Sequence, residues 1–344
     1  MTDLTAGAPI EPLRHPVGHG TTVIVDTARS DRTLGVDLWY PSLRPGDAPP
    51  TRYELFPGVS FRSAAAHEGA PAGPGRFPLI VFSHGRTGMR FAYSLLCEAL
   101  AARGAVVVSA DHPGDALADW LMGTHVDDRT NETNRVGDAH ALMHALLHGD
   151  DAIAVDVLNA IDGDRVVLAG HSYGAYTALA TAAGARGVEP HDRVRALALY
   201  QPYTRMMSDG LLGRVRQPVF MAVGGRDAST PPATDADRPW ALLRGRPLWR
   251  LDIADAGHQA ASDIALYAQL APQVEGLPDI VHDYLRVTAA DTSAADTAAA
   301  GMPPWRDTVR SQVAATWAFL VEALSLDEDP VTLDLPPGTT LSVR

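Results

Sequence analysis

A serine, an aspartate and a histidine, Ser172, Asp227 and His258, follow one another along the chain in surroundings that could turn a hydroxyl into a nucleophile. The serine sits in Gly170-His171-Ser172-Tyr173-Gly174, a G-x-S-x-G pentapeptide. An apolar, β-branched run from Arg165 to Ala169 leads into it, and an Ala-rich stretch from Ala175 to Ala183 leads out. That order predicts a strand, a sharp turn and a helix, with the two glycines small enough to let a strained turn close beneath the serine. The N-terminus of the following helix would favour negative charge developing beside the hydroxyl. Two glycines and a serine recur in many loops, so the specificity of the signal comes from its flanks.

The acid and the base stand in similar places. Gln217 to Asp227 reads as a short buried strand that ends in Gly-Gly-Arg and a carboxylate, and Arg246 to Ile253 reads as the next strand, with His258 in the loop after it. A histidine there can take the serine proton and return it to the leaving group, while an aspartate fixes its tautomer and stabilises the imidazolium. Asp252 and Asp255 are nearer to His258 in sequence. A residue inside or just after the preceding strand seldom points back at its own loop, so Asp227 is the expected acid.

Upstream, Phe77 to Ser83 is another buried-strand pattern, and it runs into His84-Gly85-Arg86-Thr87-Gly88. This loop precedes the serine turn as the oxyanion loop does in the α/β-hydrolases, which the pentapeptide and its flanks resemble; that resemblance makes the main-chain N–H groups of Arg86 and Tyr173 the expected pair. A plain glycine turn into the helix expected over Phe91 to Arg103 is the blander account of the same residues. Among 13 histidines, His84, His112 and His171 also lie near strand ends. The turn is expected to force His171 away from Ser172, whereas His84 and His112, with Trp120 and Met122, are expected to border the substrate.

These motifs together resemble one family, the platelet-activating-factor acetylhydrolase-like and predicted dienelactone-hydrolase-like serine esterases of the α/β-hydrolase superfamily. The resemblance covers roughly residues 15 to 325. It rests on the segments Val36 to Pro41, Phe82-Ser-His-Gly85, Ala110-Asp-His-Pro-Gly114, Arg135-Val-Gly-Asp138, Gly170 to Gly174, and Gly257-His258 with Ser262-Asp263. It implies the α/β-hydrolase fold and ester hydrolysis. Two departures matter. The segment Arg195 to Pro202 lacks the carboxylate that acetylhydrolases place after the sixth strand, which moves the acid to Asp227, as in cutinase-like relatives. The pentapeptide continues into Ala175 where a second glycine is common. Dienelactone hydrolases proper use cysteine, and the serine here favours an ester over a dienelactone.

With 344 residues, 46% of them hydrophobic, the chain can bury a full core. One domain over residues 1–344 is expected, with insertions at about 42–76, 112–134 and 259–305 and a tail at 326–344. An N-terminal hairpin near residues 20–40 precedes strand-helix alternation from Pro78 to a last helix near Arg306 to Leu324. The expected class is α/β: a doubly wound, mostly parallel sheet with an N-terminal antiparallel hairpin and lid-like insertions. The first insertion, rich in Pro, Gly and Ala, reads as a surface excursion and the second as a border of the acyl site. The third reads as a lid over Ile264 to Leu270 and Ile280 to Leu285, followed by a flexible loop over Thr288 to Ala300.

A net charge of −13 without any Lys/Arg run argues against nucleic acid and anionic membranes as partners. No apolar run approaches the ~18 residues of a membrane span, and Met1 to Ile10 carries neither a basic region nor an apolar one, so a cytoplasmic location is expected. The single cysteine, Cys97, excludes a disulfide within the chain and sits among leucines as a core residue. His140, His144 and His148 recur on one helix face, but Ala141 stands where a metalloprotease helix carries glutamate. No metal and no cofactor are expected. The resulting reading is a serine hydrolase that cleaves small-molecule carboxylic esters of short to medium acyl chain through an acyl-enzyme. An amidase, lactonase or acyltransferase could use the same groups, and a scaffold that binds a ligand without turnover is the alternative of another class. Oligomeric state and natural substrate stay open.

Overall fold

The computed structural model describes residues 5–292, 304–329 and 331–344. Strands β1 (Val17–Asp26) and β2 (Arg32–Pro41) form the expected antiparallel hairpin, and β3 (Pro50–Phe56) and β4 (Val59–Glu68) form a second. There follow β5 (Phe77–Ser83), α1 (Ser94–Arg103), β6 (Val106–Ala110), α2 (Leu117–Met122), α3 (Asp128–His148), α4 (Val155–Ala160), β7 (Ile161–His171) and α5 (Tyr173–Ala182). The order continues with β8 (Val194–Tyr200), α6 (Asp209–Leu212), β9 (Val219–Gly224), α7 (Pro232–Asp235), α8 (Asp237–Leu242) and β10 (Leu248–Ile253). It closes with α9 (Ile264–Leu270), α10 (Asp279–Ala289), α11 (Pro304–Ala323) and β11 (Thr339–Val343).

All these strands join one sheet in the order β11-β10-β9-β8-β7-β5-β6-β2-β1-β4-β3. The run from β10 to β6 is parallel throughout, and both flanks turn antiparallel. Alternate side chains of the central strands feed two cores, as the two-residue period of a strand requires. Ile80, Phe82, Val167 and Ala169 face α1, α9 and α11, while Leu79, Val81, Val166 and Leu168 face α3 and α5. Burial on both faces explains why these strands read as continuous apolar runs. Among the described residues, no helix is long and apolar enough to cross a membrane.

Three segments read as insertions or tail are built into the fold. Residues 42–76 do not wander over the surface: β3 and β4 extend the sheet, and Tyr53, Val59 and Phe61 are buried in its core. The 326–344 tail supplies β11, which pairs antiparallel with β10 and covers its edge. The polar run before Arg135 belongs to α3, because Asp127 accepts the N–H of Thr130 and caps the helix, which starts at Asp128. The lid-like pieces are α9 and α10. Of the expected flexible loop, residues 293–300 lie outside the described residues.

Candidate active site

Strand β7 hands the chain to α5 through Ser172, whose φ of 53° and ψ of −115° lie in a region that L-residues rarely adopt. The turn is clamped from every side. A Cβ on Gly174 would run into the Ser83 carbonyl and one on Gly170 into Gly174 itself, so only glycine lets β5, β7 and α5 meet. The Ser172 N–H donates to the Tyr200 carbonyl at 2.9 Å, and its carbonyl accepts the Tyr203 N–H at 3.1 Å. These bonds hold the strained residue with its hydroxyl outward.

Ser172 Oγ lies 2.9 Å from His258 Nε2, and His258 Nδ1 lies 2.8 Å from Asp227 Oδ2. The structure therefore brings together the three residues picked from sequence. Asp227 follows β9, and its loop turns back on itself: the Thr230 N–H donates to Asp227 Oδ1 at 2.7 Å and the Thr230 hydroxyl to Oδ2 at 2.5 Å. Burial pushes the Asp227 carboxyl up, but the bonds from His258 and Thr230 outweigh it and hold the group below the usual carboxylate range. It stays charged and accepts from Nδ1, which leaves Nε2 free to take a proton from the serine. The rival acids point elsewhere, Asp252 paired with Arg250 and Asp255 exposed.

The loop carrying His258 is pinned by Asp291, just past the end of α10. The His258 N–H donates to Asp291 Oδ1 at 3.1 Å, and the Gln259 N–H donates to the Asp291 carbonyl at 2.7 Å. His171 also takes part, as a support of the His258 loop and not as a partner of Ser172. Its Nε2–H donates to the His258 carbonyl at 2.6 Å, and its Nδ1 accepts the Tyr93 hydroxyl at 2.7 Å. Complete burial and the neighbouring His258 push its pKa down to about 3, so the ring is a neutral strut. His171, Tyr93, Thr230 and Asp291 were all missed in the sequence reading. Only Thr230, three residues after Asp227, carried a local signal, since a threonine there closes a turn on the aspartate.

A cavity of about 230 Å³ opens over Ser172 and His258. Gly85 and Arg86 border it beside the serine; Met89, Tyr93, Ile264 and Tyr267 form its walls; Leu55, Tyr284 and Thr288 overhang it. A Cβ on Gly85 would sit 3.4 Å from Ser172 Cβ, so this loop presses directly on the nucleophile. The Arg86 side chain turns away, between the rings of Trp120 and Tyr173, to pair with Asp128.

The four expected pocket residues do not border the cavity. His84 and His112 are completely buried behind the loop. They satisfy polar groups there: His84 bonds to Gly85 and to the His112 N–H, and His112 bonds to Asp138. Trp120 stacks on His125 and donates to Asp115, and Met122 is 69% exposed. Helix α2 buries Leu117 and turns its C-terminal end to solvent, which is why Trp120 and Met122 miss the site. Of the histidine stripe, His148 bonds back to the His144 carbonyl and His140 faces His191. Among the described residues, no three His, Cys, Asp or Glu side chains are grouped to hold a metal.

Comparison with known proteins follows these lines. Residues 59–144 match the family described as platelet-activating factor acetylhydrolase, isoform II. Over 99% of its length the chain superimposes on 99% of a ferulic acid esterase from Streptomyces cinnamoneus, with a TM-score of 0.69 and 24% sequence identity. The fold is that of an α/β-hydrolase. Within it the chain resembles the acetylhydrolases across β4 to α3, the stretch that carries the His84-Gly85 loop and Arg135. Both relatives are, by name, carboxylic ester hydrolases.

Proposed function

We propose that the chain is a one-domain serine hydrolase of carboxylic esters. The observation that carries the reading is the continuous line Ser172 Oγ, His258 Nε2, His258 Nδ1, Asp227 Oδ2, with steps of 2.9 Å and 2.8 Å, opening on a cavity with apolar and polar walls. Ser172 Oγ attacks the acyl carbon as its proton passes to His258 Nε2. The N–H groups of Tyr173 and Arg86 receive the oxyanion. Collapse of the tetrahedral intermediate returns the proton from His258 to the alkoxide, and the alcohol leaves with an acyl-Ser172 behind. Water, deprotonated by His258, then attacks the acyl carbon, and the carboxylic acid leaves with Ser172 regenerated. Asp227, kept charged, stabilises the imidazolium in both halves.

The lining supports short to medium acyl groups. Each buried methylene contributes up to ~0.8 kcal/mol until the cavity ends, and the space lined by Leu55, Tyr267 and Ile264 amounts to about 230 Å³. The rings of Tyr93, Tyr267 and Tyr284 also suit a planar aromatic acyl group such as the one named for the structural relative. The test is a panel of p-nitrophenyl esters from C2 to C16, with methyl ferulate, assayed on the purified chain and on Ser172→Ala. Wild-type turnover should peak at or below about C8, and Ser172→Ala should lose several orders of magnitude in kcat. More than about a tenth of wild-type turnover in Ser172→Ala would end the serine reading, and kcat/KM climbing steadily to C16 would end the chain-length reading.

A further inference from the structure

The Gly85 carbonyl is gripped by three donors. It accepts from His84 Nδ1–H at 2.7 Å, from the Gly88 N–H at 3.1 Å and from Arg135 NH2 at 3.2 Å. Arg135 is fully buried inside α3 and also donates NH1 to the His84 carbonyl at 2.7 Å. It is held in turn by Asp115, whose Oδ2 accepts Nε at 2.9 Å, and whose main-chain oxygen takes the Thr87 N–H at 3.2 Å. A fully buried guanidinium that reaches two successive carbonyls is costly to build unless both bonds are used.

The peptide from Gly85 to Arg86 is trans, so its N–H points opposite to the carbonyl that these donors hold. Gripping the Gly85 oxygen on the inner side of the loop therefore sets the Arg86 N–H toward the cavity. The grip needs His84 to carry its proton on Nδ1, and the structure fixes that tautomer. His84 Nε2 accepts the His112 N–H at 3.1 Å, and His112 is oriented by its bond to Asp138 Oδ2 at 3.0 Å. Asp138 also takes Arg29 and Arg32, both at 2.7 Å. Burial and the nearby Arg135 hold His84 well below the usual histidine range, which keeps the ring neutral with a single N–H to give.

We propose that Arg135 and His84 are positioning residues that lock the Gly85–Arg86 peptide with its N–H directed at the oxyanion, and that the buried Asp138–His112 pair sets the His84 tautomer for this task. The proposal rests on the serine-hydrolase reading and adds to it a reason for the buried polar network behind the loop. Freed of these three donors, the peptide can rotate and withdraw one of the two oxyanion donors.

The test compares His84→Leu, which removes the Nδ1 donor, with His84→Asn, whose amide restores a donor at that place, and with Arg135→Lys, which keeps a cation beside Asp115 but cannot reach two carbonyls. Turnover of p-nitrophenyl acetate is read together with inhibition by a boronic acid, whose tetrahedral serine adduct uses the oxyanion donors. His84→Leu should lose about 10²- to 10³-fold in kcat, the range for one lost oxyanion donor, with KM within threefold, and boronate affinity should fall in parallel. His84→Asn should recover at least tenfold of that loss. Arg135→Lys should lose at least tenfold in kcat at constant KM, and this expectation stands on its own if His84→Leu does not fold. Folded variants that keep kcat and boronate affinity within threefold of wild type would overturn the lock. The control is Ser172→Ala: if it is inactive while the His84 and Arg135 variants are unimpaired, only this proposal fails, and if it is active the serine reading fails first.

Discussion

Below the cavity, Arg86, Ser172, Asp227 and His258 each stand just past the carboxyl end of a parallel strand, β5, β7, β9 and β10. Above it, Leu55 comes from an antiparallel hairpin at the far sheet edge, and Tyr284 and Thr288 come from α10. The floor is fixed by backbone: glycines that admit no Cβ, carbonyls held by buried donors, a strained φ at the nucleophile. Side-chain packing fixes the overhang, as in the edge-on contact of Phe56 with Tyr284. Changes in the floor should therefore register in kcat and changes above it in KM, and each experiment below attacks or refines that division.

The largest effect belongs to the floor. Asp227→Asn should lower kcat by roughly 10⁴-fold, because the amide strands His258 in the wrong tautomer. Asp255→Asn, on an exposed residue, should stay within twofold, measured on the same ester. A reversed ranking would reassign the acid and dissolve the contrast. The overhang predicts a smaller and differently shaped result. Tyr284→Ala should raise KM for a C8 ester about tenfold with kcat within threefold, in line with the ~1 to 3 kcal/mol that an apolar pocket contact contributes; the C2 ester should barely notice. Equal losses on both esters, carried by kcat, would mean that Tyr284 itself positions the reacting groups and is not merely a cover.

The smallest effect on activity comes from the joint between the two regions. Trp39 Nε1–H donates to the Tyr53 hydroxyl, which donates to Glu98 Oε1, both at 2.7 Å, and this ties β3 to α1. Burial pushes the Glu98 carboxyl up from 4.5 to about 7, against the bonds from Tyr53 and Ser63. A folded-state pKa above the unfolded one means that the folded protein binds more protons in between, so this contribution to stability is complete below about pH 4.5 and is lost as pH rises through about 7. Glu98→Gln should flatten that part of the melting-temperature profile and leave kcat at pH 8 unchanged. A profile of unaltered slope would show that the carboxyl does not titrate there.

The same division explains what could be read from the sequence. The floor was legible because its signals are local: Gly170 to Gly174, Gly224-Gly225 before Asp227, and Gly257 before His258 all mark where a strand must stop and turn. Arg52 to Leu55 and Val59 to Phe61 do alternate apolar and polar residues, yet the surrounding Pro and Gly obscure them. The pairing of β11 with β10 is likewise non-local. Trp120 and Met122 were misplaced because hydrophobicity near a strand end does not reveal which way a short helix turns. His84 and His112 were assigned to the substrate when their partners are main-chain atoms and Asp138. The buried charges of α3 held the missing clue, because Arg135 and Asp138 in mid-helix need partners from inside the fold.

The backbone at Ser172 also governs how this scaffold can change over evolutionary time. A φ of 53° with ψ of −115° is costly for any side chain and more so for one branched at Cβ. Cysteine fits the turn as serine does, so a single-codon exchange from hydroxyl to thiol is open to descendants of this chain. Threonine, a competent nucleophile in other protein architectures, is disfavoured there by its branched Cβ before any question of reactivity arises. The repertoire of the lineage is thus filtered first by a dihedral angle and only then by chemistry.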